Sequence, residues 1–365
     1  MLKVYNTYVH IPFCEKKCNY CDFTSFKFAE NLSLKYVNYL LKEIELYKKK
    51  YDLTVKQDTI YFGGGTPSLL SIDELKRILA NFNYDTNTEI TIEVNPKTVN
   101  KEKLKKYKEL GINRLSIGVQ TFNNKFLKKL GRVHSSSEAE KIYCDAREVG
   151  FENISIDLMF SLPAQTLEDL ERDLNKLFSL KTEHFSIYSL IWEEGTEFYK
   201  ELIIGKLKET ENELEAQMYE KIIELAEKNG YKHYEISNFS KPGLESRHNM
   251  IYWENKNYLG LGLAAAGYLE NIRYKNYSNF NKYYKKLDLI EFPMEEKEIL
   301  SQDEIDEYGY LVGFRILGKK MQATEKNRKI FQDMEEEGYL KKNGDFYIMT
   351  KKALMFFNDF ISNFI

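Results

Sequence analysis

Cysteine is scarce in this chain, with four residues in 365. No apolar run approaches the roughly 18–20 residues needed to span a bilayer. The opening MLKVYNTYVHIPFCEKK contains no apolar core followed by a small-residue cleavage site, so no secretion leader is expected. A cytoplasmic protein is therefore expected, and in that reducing compartment a disulfide is a poor reading of the few thiols. Neither sign of charge dominates: 53 Lys and Arg face 56 Asp and Glu, for a net charge of −3. That balance gives no reason to expect a nucleic-acid partner. There is also no fixed-period repeat and no low-complexity linker.

What is present is an ordinary globular composition, 43% hydrophobic and 30% charged, able to bury a sizeable core. Short β-branched runs recur at 5–11, 59–64, 89–94, 114–119, 154–159 and 184–190. Helical periods separate them, such as TLEDLERDLNKLFSL, where Leu167, Leu170, Leu174 and Leu177 share a face. Gly111 and Gly150 stand where two of these helices should stop. Six strand–helix units in succession predict an α/β fold, a partial (β/α)6 barrel with helices outside and chemistry at the C-terminal strand ends. The unusual stretches fall on that rim: HIPFC, GGGTPS, EVNP, GVQTF and DLMFSLP each follow or end a strand. The barrel is expected to occupy residues 1–205. Residues 206–295, with a long amphipathic helix at 210–231 and then a loop-rich stretch, read as an extension. Residues 296–365 read as helix, helix, hairpin and helix, a small α+β domain of winged-helix type.

Three of the four cysteines sit together in FCEKKCNYCDF, as Cys14-x3-Cys18-x2-Cys21. A structural zinc site needs four ligands and usually recruits a second CxxC pair, which this chain lacks. Cys144 lies in a predicted helix and reads as packing, and His10 belongs to the first strand. Three thiolates on one loop suit a [4Fe–4S] cluster with one iron left open. Spacing alone leaves a zinc site or an incidental grouping open. The place of the loop after a first barrel strand, with glycines on the next strand's rim, favours the cluster.

YVHIPFCEKKCNYCDF followed by YFGGGTPSLL resembles the radical S-adenosylmethionine (SAM) superfamily, and within it the coproporphyrinogen-oxidase-like branch. The resemblance runs from Tyr8 through the C-terminal region. It implies that Cys14, Cys18 and Cys21 hold the cluster and that SAM chelates the open iron and is cleaved to a 5′-deoxyadenosyl radical. It assigns Gly64, Gly65 and Thr66 to the methionine moiety, with glycine allowing close backbone approach. Glu93 and Gln120 are polar groups at strand ends able to bond ammonium or ribose hydroxyls. Arg132 can clamp a carboxylate. Asp157 is a carboxylate in an otherwise apolar strand and needs a partner. Tyr8 and Tyr20 match positions near the cluster and SAM.

The branch contains true oxidases and haem-chaperone relatives. The oxidases carry a further cysteine two residues past the third; this chain has Phe23 there. HNMIYW matches the HNxxYW pattern of the haem-binding relatives, which makes His248, in a loop outside the barrel, an expected axial haem ligand. Two departures stand out: Ala266 in GLGLAAAG, where a histidine is usual, and Ser161, where glycine is usual. The resemblance implies a chaperone that binds cluster, SAM and haem, and delivers haem to acceptor proteins. An electron donor such as flavodoxin or ferredoxin is implied. The alternative is an oxygen-independent coproporphyrinogen III oxidase.

Overall fold

The computed structural model describes residues 1–364. The six expected strands are β1 (Asn6–Ile11), β2 (Thr59–Gly64), β3 (Glu89–Val94), β4 (Arg114–Gln120), β5 (Asn153–Phe160) and β6 (His184–Ser189). Three short strands join them: β7 (Lys232–Glu235), β8 (Asn238–Ser240) and β9 (Leu259–Leu261). The nine form one curved sheet in the order β9-β1-β2-β3-β4-β5-β6-β8-β7. Strand β9 runs parallel to β1, with Thr7 opposite Leu259, while β8 pairs antiparallel to β6. The partial barrel is thus as expected, extended at both edges by strands too short to stand out in the sequence.

Each barrel strand is two-faced. Val9, Ile11, Ile60, Phe62, Ile90, Ile92, Leu115, Ile117, Ile154 and Ile156 point outward into the main core. Against them pack α1 (Glu30–Lys48), α2 (Ile72–Leu79), α3 (Lys101–Glu109), α5 (Ser136–Glu148) and α6 (Leu167–Leu180), with a short α4 (Asn124–Leu130) between α3 and α5. Capping boxes at Ser71/Glu74, Ser135/Glu138 and Thr166/Asp169 start α2, α5 and α6 by satisfying their free amides. The alternate residues, including Tyr61, Glu93, Ser116, Asp157 and Ser186, face the barrel interior and bring polar groups into its lining.

Two more helices follow β6, α7 (Glu197–Ile203) and α8 (Asn212–Lys228). The stretch that carries HNMIYW is not a loop. It forms α9 (Arg247–Trp253), started by Ser246, whose side chain accepts from the Asn249 amide. The carboxylate of Glu89 accepts from the Arg247 and His248 amides at 3.1 and 3.0 Å. Glu89 opens β3 and Thr59 opens β2, so a helix fixed to both closes the N-terminal end of the barrel.

Beyond it β10 (Ala266–Leu269), β11 (Ile272–Asn276) and β12 (Met294–Ile299) form an antiparallel sheet, which continues past the boundary expected at 295/296. Between β11 and β12, α10 (Phe280–Asp288) packs on α1 with Tyr283, Tyr284 and Leu287 in the main core. The C-terminal unit contains α11 (Gln302–Gly313), α12 (Arg328–Glu336), the hairpin β13 (Leu340–Asn343) and β14 (Phe346–Met349), and two short final helices. From Tyr310 onward it has a separate aromatic core around Phe314, Phe331, Phe360 and Phe364. Backbone bonds from Ile236 and Leu317 tie it to β7 and its turn. No helix of the described residues is long and apolar enough to cross a membrane.

Candidate functional site

A cavity of about 540 Å³ runs from the C-terminal rim into the barrel. Its mouth is the cysteine loop. The loop leaves β1 through Phe13–Cys14, which pairs in parallel with Phe26–Lys27, and is pinned by amide bonds from Phe26 to Pro12 and from Phe28 to Cys14. At its far end Asn19 donates to the Lys129 carbonyl at 2.9 Å and accepts from the Phe198 amide. Cys14, Cys18 and Cys21 all line the cavity. Cys144 is exposed on α5 rather than packed, because its face of the helix turns to solvent.

Burial pushes the Cys14 thiol up, and pushes Cys21 up to about 11. Thiols that resist ionisation in this way become thiolates when a cationic group shares their charge. The Thr66 hydroxyl donates to Cys14 Sγ at 3.5 Å and Arg132 Nη1 to Cys18 Sγ at 3.6 Å. Among the described residues no set of three His, Cys, Asp or Glu side chains is gathered for a single metal ion. Three thiols spread around a cavity mouth suit a larger iron–sulfur cluster.

Below the loop, the glycine run leaves no room for side chains. A Cβ on Gly64 would stand 2.6 Å from the His10 ring, and one on Gly65 2.6 Å from the Phe13 carbonyl oxygen. Gly64 also has φ of +111°, a value that disfavours other residues. The Gly64 amide donates to Glu93 Oε2 at 3.2 Å, and the Tyr61 hydroxyl to Oε1 at 2.9 Å. Burial pushes Glu93 up to about 7; the Tyr61 bond opposes the rise and nearby Asp157 adds to it. Asp157 is likewise raised by burial, and accepts from the Ser116 and Ser155 hydroxyls at 2.8 and 3.0 Å. Its expected partners are therefore hydroxyls rather than a cation. Gln120 takes a left-handed φ of 69° at a register shift where β4 leaves β5, which turns it over the cavity. Arg132 is held by its Nη2 bond to the Gly118 carbonyl at 2.7 Å.

The structure therefore brings Tyr20, Gly64, Gly65, Thr66, Glu93, Gln120, Arg132 and Asp157 to one cavity with the three cysteines. Two of the expected residues lie elsewhere. Tyr8 bonds His10 Nδ1 at 3.0 Å and lines a separate cavity of about 420 Å³ with Tyr252, Trp253 and Ala266. His248 is 1% exposed. Its Nδ1 bonds Thr59 Oγ1 at 2.7 Å and its Nε2 bonds the Tyr252 hydroxyl at 2.8 Å, while its ring stacks on Tyr61. Both ring nitrogens are thus engaged by hydroxyls, and His248 sits in a helix at the barrel floor rather than in the expected loop. The departure at Ser161 has a local cause too. Its φ is 59°, the region glycine normally serves, and its hydroxyl donates to Glu215 at 2.8 Å.

Several cavity residues escaped the sequence reading: Tyr61, Arg114, Ser116, Ser186 and Tyr188. The period-two polar alternation in TIYFGG, RLSIGVQ and HFSIYSL was the available signal.

A cysteine loop after the first strand, a glycine turn after the second, and a polar rim above a partial barrel define a radical SAM protein. The Radical SAM superfamily model matches residues 8–177. The chain is 38% identical to the haem chaperone HemW of Bacillus subtilis over 99% of both chains, and 39% identical to that of Lactococcus lactis over 84% of this chain and 80% of the relative. It belongs to the HemW family. Among solved structures, Escherichia coli coproporphyrinogen III oxidase (HemN), a radical SAM enzyme, superposes with a TM-score of 0.85 over 100% of this chain and 90% of that one, at 20% identity; this likeness is one of fold. Membership in the superfamily implies a [4Fe–4S] cluster and SAM as cofactors.

Proposed function

We propose that this protein is a cytoplasmic haem chaperone that binds a [4Fe–4S] cluster, SAM and haem, and passes haem to acceptor proteins. The observation that carries the reading is the full-length likeness to relatives named haem chaperones. Phe23, in place of the additional cysteine of the oxidases, supports it.

Cys14, Cys18 and Cys21 are the cluster ligands in this reading; when bound, the cluster supplies the electron for reductive cleavage of SAM. The glycine turn and Thr66 take the methionine end. Glu93 accepts from the ammonium group, Arg132 pairs with the carboxylate, and Gln120, Asp157 and Tyr20 enclose the remainder. The mouth carries exposed apolar side chains, Phe23 at 59% and Ile191 at 67% exposure, which suit a flat apolar ligand that must be released as well as bound. The imidazole of His248 is not part of this haem site.

The test is anaerobic reconstitution followed by parallel incubation with haem and with coproporphyrinogen III in the presence of SAM and reductant. Stoichiometric haem binding without protoporphyrinogen is expected. Multiple-turnover formation of protoporphyrinogen would overturn the proposal.

A further inference from the structure

Arg114 is the charge that the cofactor sites leave unexplained. It opens β4 and lines the inner end of the cavity, and it is 2% exposed. Its Nε is buried with no partner. Among the described residues no carboxylate forms an ion pair with its guanidinium. Asp157, which feels its field, turns instead to Ser116 and Ser155. Arginine does not lose its proton in proteins, and a buried, unpaired charge is costly. Within the cavity that it lines, no protein anion among the described residues offsets the guanidinium.

SAM does not account for that charge. The carboxylate clamp assigned to it, Arg132, is tied to the Gly118 carbonyl. Arg114 lies four residues earlier on the same strand, so about 13 Å of extended backbone separates the two levels. A second donor faces the same inner chamber: Asn249, on the floor helix α9, lines the cavity; its backbone amide is engaged in the helix cap, and among the described residues no group bonds its side-chain amide. A fork of guanidinium hydrogens beside a side-chain amide matches a planar carboxylate. The neighbouring acids Glu93 and Asp157 disfavour a dianion, so a singly charged ligand fits better than phosphate.

We propose that Arg114 and Asn249 form a carboxylate subsite at the barrel floor, which receives a small aliphatic carboxylate as a second ligand beneath SAM. The subsite does not depend on the haem reading, since it needs only the cavity and its charges.

The test is calorimetric titration of the cluster-loaded, SAM-bound full chain with propionate, and separately with inorganic phosphate, at constant ionic strength. Saturable propionate binding is expected, weakened about tenfold or more in Arg114→Gln, as for a lost charged hydrogen bond. Iron and sulfide content and SAM affinity should be unchanged in that variant. Asn249→Ala, which keeps the charge, should weaken propionate by a smaller factor. Arg114→Lys, which keeps a charge but loses the fork, should fall between wild type and Arg114→Gln. These two variants carry the test if Arg114→Gln does not fold. Absence of saturable propionate binding, equal binding in wild type and variants, or tighter binding of phosphate would each overturn the proposal. A parallel loss of SAM affinity would overturn it as well, by placing Arg114 in the SAM site. A protein that binds propionate but not haem would leave the subsite standing and sink only the chaperone reading.

Discussion

Replacing His248 with Gln isolates one titration from all others in the chain. Burial holds the imidazole neutral, with its pKa lowered from 6.5 to about 3. The unfolded chain takes up a proton at His248 below pH 6.5 and the folded chain does not. The stability that His248 contributes is therefore complete above 6.5 and is lost as pH falls toward 3. At about 1.4 kcal/mol per pH unit, roughly 2 kcal/mol of it disappears between pH 7 and pH 5. Glutamine does not titrate. It can keep one of the two ring bonds, to Thr59 or to Tyr252, and leaves the other hydroxyl unpaired at a cost of about 1–3 kcal/mol. Wild type should exceed His248→Gln by about 2 kcal/mol at pH 7, and the two should be nearly equal at pH 5. Burial also lowers His10, His134 and His233 to about 4, but those losses occur in both proteins and cancel in the difference. Urea unfolding at pH 7, 6 and 5 measures it. A gap that does not change with pH would mean that the ring is not held neutral on the floor, and the account of α9 as a closing helix would fall with it. The same variant should bind haem with an unshifted Soret band.

Three further outcomes follow from the site. Cys14→Ala, Cys18→Ala and Cys21→Ala should each abolish the brown absorbance near ~400 nm after anaerobic reconstitution, while Cys144→Ala, on an exposed helix face, should retain it; loss of colour in Cys144→Ala would refute the ligand assignment. Glu93 ionises near 7, so SAM affinity should weaken as pH falls from 8 to 6 and its carboxylate stops attracting the ammonium group. In Glu93→Gln affinity should be lower and flat with pH, and an equally steep profile there would remove Glu93 from the site. Ser161→Gly relieves a left-handed φ worth about 1 kcal/mol but loses the bond to Glu215, worth about 1 kcal/mol. Its melting temperature should stay close to wild type, and a large drop would mean that the hydroxyl matters more than the backbone.

The contrast between the two ends of the barrel shows what a sequence can disclose here. The cysteine loop, the glycine turn and the strand-end polar residues were legible because each is a local pattern on a strand–helix unit whose outward face is plainly apolar. The floor was not. RHNMIYW is seven residues long with no helical period of its own, and its helix is started by Ser246 but fixed by Glu89, whose carboxylate lies 158 residues away. Strand β9 is three residues long and becomes a strand by lying beside β1. The pattern around His248 has the same limit: it identifies a histidine next to aromatics but not what the ring faces, and Thr59 and Tyr252 engage both nitrogens. Arg114 was hidden differently. In RLSIGVQ it reads as a polar strand start, and only closure of the barrel over it turns a solvated cation into a buried one without a partner. Residues whose role depends on what surrounds them, rather than on what precedes and follows them, are the ones that the chain order conceals, and in this fold they gather at the closed end.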